Sequence, residues 1–424
     1  MPNRLTIAAA VVAASTLVLG GCASPAGPAQ PSGSASTAQE KVALTLWTGF
    51  TGGDRPAYEA LVTAFNDSHP NIQVTMEVQP WDTIGQKLPA AWATGQGPDL
   101  ATPNFDPNVL SQYLKTNSLL PITATGTGDG QVDADHLAPA AIKAFTQDGK
   151  LYAVPANVAT LQLYYNKALF TAAGIAEPPA TVDEFRADAQ KLTGNGVFGL
   201  SLADHETIQM WPILQWLDGS DIVDQDNCSA LDSPEAIKSL TTWSKLVTDK
   251  VAPVGLSGAE SDSLFSAGKA AMQLNGPWAA AGYTKAGIDL GVAPVPAGVN
   301  GTVTLGSTVP MAISAKTKYP AQAQEFLAWW TGKTAQQQFA LDSGFPPVRT
   351  DMGDDPKLAA NEVVAAFAAA LPTARLYLPG VPNATKVDSD VYVTLIGQIT
   401  RGEDVAKAAA DASTKLNALT GCSK

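Results

Sequence analysis

Val42-Ala-Leu-Thr-Leu-Trp47, Tyr58-Glu-Ala-Leu-Val-Thr-Ala-Phe-Asn66 and Ile72-Gln-Val-Thr-Met-Glu-Val78 follow one another early in the chain and decide its fold class. The first is a short apolar run bounded by a Gly- and Thr-rich loop, as a buried strand should be. In the second, Tyr58, Leu61, Val62 and Phe65 recur at helical spacing and fall on one face. The third alternates apolar and polar residues, the pattern of a half-buried strand. Trp81 to Trp92 reads as a further helix, ended by Gly95. Strands interleaved with helices predict α/β architecture with largely parallel sheets, which bind ligands beyond the carboxyl ends of their strands. About 385 residues of this character exceed one ordinary core, so two lobes are expected. No repeat of solenoid period is present.

Ahead of this body, Arg4 supplies a positive start and Ile7 through Leu19 is apolar, broken by Ser15 and Thr16. That run is short for a membrane span and has the flanks of a signal peptide. Its ending, Leu19-Gly-Gly-Cys22, resembles a bacterial lipobox; the alternative is an ordinary secretory signal with a coincidental cysteine. The resemblance implies cleavage before Cys22, lipidation of that residue and a location at the outer face of the cytoplasmic membrane, held there by lipid alone. Residues 23–39 are rich in Ala, Ser, Pro and Gly and carry no charge, the composition of a flexible tether. The chain has three cysteines. With Cys22 lipidated, Cys228 and Cys422 are left, and an exported protein favours their pairing over two free buried thiols. Net charge is −13 and the isoelectric point near 4.6, with no basic cluster, which argues against nucleic acid and anionic membrane surfaces as partners.

From here the ordered segments resemble the extracellular solute-binding proteins of the maltose-binding type, which serve ATP-driven importers. Leu44-Thr-Leu-Trp47 is followed by Ala93-Thr-Gly-Gln-Gly-Pro-Asp-Leu100, Asp148-Gly-Lys-Leu-Tyr-Ala-Val-Pro155 and Leu163-Tyr-Tyr-Asn-Lys167. Ala173-Gly-Ile175, Pro178-Pro-Ala-Thr-Val-Asp-Glu-Phe185, Phe265-Ser-Ala-Gly-Lys-Ala-Ala-Met272 and Asn275-Gly-Pro-Trp278 come next, then Val292-Ala-Pro-Val-Pro296 and Glu325-Phe-Leu-Ala-Trp-Trp330. No single motif decides; their order along nearly the whole body does.

The resemblance implies two doubly wound α/β lobes joined by a hinge, the type II periplasmic-binding-protein arrangement. Crossings fall near Val154–Thr160, Leu305–Thr308 and Pro346–Thr350. The expected organisation is signal peptide 1–21, tether 22–40, a first lobe from 41–156 and 307–347, and a second from 157–306 and 348–424. Cys228 and Cys422 then share the second lobe, so a bridge between them leaves the cleft free to move. The implied function is capture of a mono- or oligosaccharide between the lobes by a monomer that hands it to permease subunits, with no cofactor and no metal.

A carbohydrate offers hydroxyls to carboxylates and amides, and apolar ring faces to aromatic platforms. By resemblance Trp278 stacks on a sugar ring and Asp106 accepts hydroxyl bonds, with Asn104 beside it; the alternatives are a core tryptophan after a Pro-bounded turn and a turn aspartate before Pro107. The segment Glu206-Thr-Ile-Gln-Met-Trp-Pro212 offers Glu206, Gln209 and Trp211. Phe50 and Asp54 stand in the loop after the first strand, where Asp54 has the alternative of capping the following helix. Trp211 has the alternative of a core position. Asp99 reads as structural. Where maltose-binding protein has a sugar-contacting glutamate, this chain has Ala159, with Asn157 and Gln162 nearby; where that protein has a stacking tryptophan, Asp388 stands. These departures point away from maltose itself.

Two other classes remain open on sequence alone. An exported glycoside hydrolase could use Asp106 and Glu206 as its carboxylate pair, and a sugar-sensing or adhesive lipoprotein could share the fold. The three histidines, His69, His136 and His205, lack zinc-binding spacing, and no nucleophile elbow of Gly-x-Ser-x-Gly type surrounds Ser307.

Overall fold

The computed structural model describes residues 41–104, 109–124 and 130–423. Cys22 and Asp106 lie outside the described residues. The strands in chain order are β1 (Val42–Thr48), β2 (Ile72–Val78), β3 (Leu100–Ala101), β4 (Thr146–Gln147), β5 (Lys150–Leu151), β6 (Ala153–Thr160), β7 (Gln162–Asn166), β8 (Phe198–Leu200), β9 (Ala270–Asn275), β10 (Leu290–Ala293), β11 (Thr304–Ile313) and β12 (Ala374–Leu376). β4 and β5 form a small hairpin.

In the first sheet β2, β1 and β3 are parallel neighbours, with Val42 opposite Ile72 and Thr48 opposite Val78. β11 completes it, antiparallel to β3 and to β6 and parallel to β12. The second sheet has the order β10-β7-β9-β8, in which only β8 and β9 run parallel. The sheets are therefore mixed rather than largely parallel. The reason is the path of the chain: β6 and β7 carry it from the first sheet into the second, and β11 brings it back in the opposite direction. Gln162, at the start of β7, lies opposite Asn275, at the end of β9. The carboxyl ends of β8 and β9 thus face back toward the first sheet.

Helix α1 (Arg55–Ser68) opens with Pro56 inside its first turn and buries Ala57, Tyr58, Leu61, Val62 and Phe65. Helix α2 (Trp81–Thr94) buries Ile84, Leu88 and Trp92 and stops at Gly95, whose φ of +74° closes it in the left-handed region. Asp99 is structural: its carboxylate accepts from the Thr45 amide at 2.9 Å and the Thr317 hydroxyl at 2.6 Å, clamping β3 to β1.

Two main hydrophobic cores result. One gathers Leu46, Tyr58, Phe65 and Trp92 with Trp330 and Phe339. The other gathers Phe185, Trp211, Trp243 and Tyr392. The chain passes from the first to the second between Ala159 and Leu161, and returns between Leu305 and Val309. Cys228 and Cys422 are joined by a disulfide with a Cα–Cα distance of 5.3 Å. It ties the segment ahead of the helix Pro234–Thr248 to the end of the helix Val405–Thr420. Among the described residues no helix is long and apolar enough to cross a membrane.

Candidate functional site

A solvent-open cavity of about 1150 Å³ lies where the two cores meet. Loops leaving the carboxyl ends of β1, β8 and β9 supply several of its functional side chains. Phe50 and Asp54 come from the first core, Gln209, Gln273, Asn275 and Trp278 from the second, and Asn157 and Ser307 from the crossing strands. A neighbouring pocket of about 850 Å³ shares Thr207, Gln209 and Ser307 with it and is lined further by Asn104, Glu206, Tyr377 and Asp388. The two pockets adjoin along these shared residues.

Trp278 sits at the junction, half-buried against both main cores. The sequence around it explains its pose. Pro277 begins a short 3₁₀ turn over Pro277–Ala279, and the Asn275 side chain accepts the Gly276 amide at 2.8 Å. A Cβ on Gly276 would lie 2.1 Å from the Trp278 ring, so only glycine lets the indole lie over the backbone here. Gly49 plays the same part for Trp81, whose ring a Cβ would meet at 2.0 Å.

Asp54 occupies the N-cap position of α1, but its carboxylate makes no cap bond and lines the cavity instead. It is 5% exposed, and burial pushes its pKa up to about 7. Asp262 faces the same cavity from the helix Gly258–Ser266. Burial raises its pKa to about 6, against the pull of three hydrogen bonds from Gln273 Nε2, Asn275 Nδ2 and the Tyr283 hydroxyl.

The remaining predicted residues divide. Asn104, Glu206, Gln209 and Asp388 line the cleft. Glu206 is exposed and holds a φ of +57°, while Asp388 accepts from the Tyr377 hydroxyl at 2.7 Å. Trp211 is a correction: it is fully buried in the second core, and its indole donates to the Ala203 carbonyl at 2.8 Å, leaving no surface for a ligand. Phe50 reaches the cavity, but one face is covered by the Tyr58 ring stacked at 3.7 Å. Asn157 also lines it, with its amide already bonded to the Tyr58 hydroxyl at 2.6 Å and the Val309 amide at 3.3 Å. Gln162 is structural, donating to the Ala366 carbonyl at 2.8 Å.

Asp262, Gln273, Trp81 and Phe345 line the cavity without having been singled out from the sequence. A signal for Gln273 existed. In the otherwise apolar run Ala270-Ala-Met-Gln-Leu-Asn275, Gln273 and Asn275 share one face of a buried strand, and buried polar side chains require partners. Asp262 is one such partner, brought in from a helix of unremarkable composition.

One cluster has the composition of a metal site: Asp133, His136 and Asp351. The Arg349 guanidinium already supplies its positive charge, bonding Asp133 and Asp351 at 2.8 Å each, outside the cleft.

Two α/β cores linked by crossing strands, with an amide-, carboxylate- and indole-lined cavity at their junction, define a two-lobed solute-binding protein of type II topology. A family model described as "Bacterial extracellular solute-binding protein" matches residues 60–366, and the chain belongs to that family. A putative binding protein of Brucella abortus is 28% identical over 399 residues, covering 91% of this chain and 94% of that protein. The maltotriose-binding protein of Pyrococcus abyssi is 26% identical over 356 residues, covering 80% and 74%. Among solved structures, the GacH receptor of Streptomyces glaucescens, determined unliganded and with acarbose, superposes with a TM-score of 0.81 at 26% identity, covering 91% of this chain and all of that one.

Proposed function

We propose that this chain captures a mono- or oligosaccharide in its interlobe cleft and delivers it, chemically intact, to the permease of an ABC importer. The observation that carries this reading is the composition of one cavity: carboxylates, amides and an indole contributed by both cores. Hydroxyl groups need the first two and sugar ring faces suit the third. Family relatives that bind maltotriose and acarbose support the substrate class.

In this reading Trp278 stacks on a ring, and Asp54, Gln209, Asn275 and Asp262 receive or give hydroxyl hydrogen bonds. Asp106 contributes a further acceptor. A ligand bridging both lobes interacts more strongly with the closed form than with the open one, and this differential affinity shifts the equilibrium toward closure. The permease then reads the closed pair of lobes. A lipid on Cys22 and the 22–40 tether hold the monomer at the membrane. The chain is not an enzyme in this account.

A thermal-shift screen against neutral mono- and oligosaccharides tests it. Ligand at ~100 times its dissociation constant adds roughly 2.7 kcal/mol of stability, a clear rise in Tm. Chromatography of the recovered ligand should return it unaltered. A full panel without any shift, or the appearance of cleavage products, overturns the reading.

A further inference from the structure

We propose that the cleft selects by charge, preferring an aminated saccharide in its protonated form to its neutral counterpart and rejecting anionic ones; this rests on the carbohydrate reading above. Asp54, nearly wholly buried, lines the cavity yet makes no side-chain cap bond; its own backbone amide is the donor that reaches its carboxylate, and no hydrogen bond or ion pair ties it to another described residue. A buried carboxylate with no donor beyond its own amide and no counter-charge is unfavourable, so this one has capacity for a partner from outside the fold.

Asp262 addresses the same cavity from the other core. Its Oδ1 is crowded by donors, with Gln273 Nε2 at 2.8 Å, Asn275 Nδ2 at 2.6 Å and the Tyr283 hydroxyl at 3.2 Å. Its Oδ2 receives no bond from the described residues. Glu206 and Asp388 add two further carboxylates in the adjoining pocket. Among the described residues lining either pocket there is no lysine, arginine or histidine.

Closing such a cleft on a neutral ligand buries the Asp54 and Asp262 carboxylates further without a counter-charge, and closing it on an anion adds repulsion. A hydroxyl has one proton to give; an ammonium has three and carries the missing charge. The indoles of Trp278 and Trp81, which line the same cavity, add faces that attract cations. Two carboxylates reaching in from opposite cores, with aromatic walls and no basic residue among the described lining, form a receptor for a sugar amine.

The test is calorimetric titration of the lipid-free chain 23–424 at pH 7.5 with three sets of probes. These are glucosamine oligosaccharides, their N-acetylated counterparts of the same linkage, and oligogalacturonates, beside a panel of neutral malto- and arabino-oligosaccharides. The expected result is at least tenfold tighter binding of the aminated form than of its N-acetylated partner, with no binding of the galacturonates. Asp54→Asn and Asp262→Asn, each checked for folding by circular dichroism, should bring the aminated-to-acetylated ratio toward one. A ratio that both variants leave unchanged means attraction to the acidic surface and overturns the proposal. So does equal or tighter binding of neutral or anionic probes, in which case the carbohydrate reading stands without charge selection. If no saccharide of any kind binds, both readings fall together.

Discussion

Replacing Asp54 by asparagine should stabilise the ligand-free protein at alkaline pH and leave it nearly unchanged under acid. In the folded chain the Asp54 carboxyl has a pKa raised from 3.8 to about 7 by burial, with the nearby Tyr58 hydroxyl, itself pushed far up, as a further ionisable neighbour. Below pH 3.8 both folded and unfolded chains hold the proton, and the residue contributes no penalty. As pH rises toward 7 the unfolded chain has released it while the folded chain still binds it, so stability falls through this window. The shift corresponds to a loss of about 4 kcal/mol by pH 8, since each pKa unit is worth about 1.4 kcal/mol. Asparagine carries no such dependence. Urea unfolding of both proteins at pH 4 and pH 8 reads the difference directly. The variant should gain several kcal/mol over the natural protein between the two pH values. A stability difference that does not change with pH would refute the assignment of Asp54 as a buried carboxyl held by no other residue.

Three further outcomes follow from the geometry. Trp278→Ala should weaken saccharide binding by about 2 kcal/mol, roughly thirtyfold, in a calorimetric titration, as loss of an aromatic anchor does; an unchanged affinity removes Trp278 from the site. Cys228→Ser should lower unfolding stability by up to about 5 kcal/mol, because the bridge spans 194 residues, while leaving saccharide affinity within a factor of a few. Gly53→Leu should hinder closure: a Cβ there would stand 3.2 Å from the Trp278 carbonyl oxygen and 3.3 Å from the Gly282 amide nitrogen, across the junction of the cores. Overpacking of this kind costs about 1–3 kcal/mol, so affinity should drop about tenfold or more in a calorimetric titration; an unchanged affinity would contradict the contact.

Local patterning carried much of the fold. The α1 face of Tyr58, Leu61, Val62 and Phe65 and the stop at Gly95 were legible because amphipathic period and helix termination are local properties. Strand direction was not, since β9 and β11 run as they do because of where the chain crosses between the lobes, which no nearby residue encodes. The site divided along the same line. Trp278 could be picked out because Gly276 and Pro277 write its pose into neighbouring sequence. Trp211 could not be distinguished from it, because burial of an indole depends on which side of a helix meets the core. Asp262 and Gln273 escaped notice because they matter only together, eleven residues apart and bonded across a helix and a strand.

Small-angle scattering of the lipid-free chain, alone and saturated with a saccharide whose binding calorimetry has established, tests the central claim most directly. A clamp that closes on its ligand must become more compact, so the radius of gyration should fall on saturation and recover on dialysis. An identical scattering profile at full occupancy would contradict closure around the ligand.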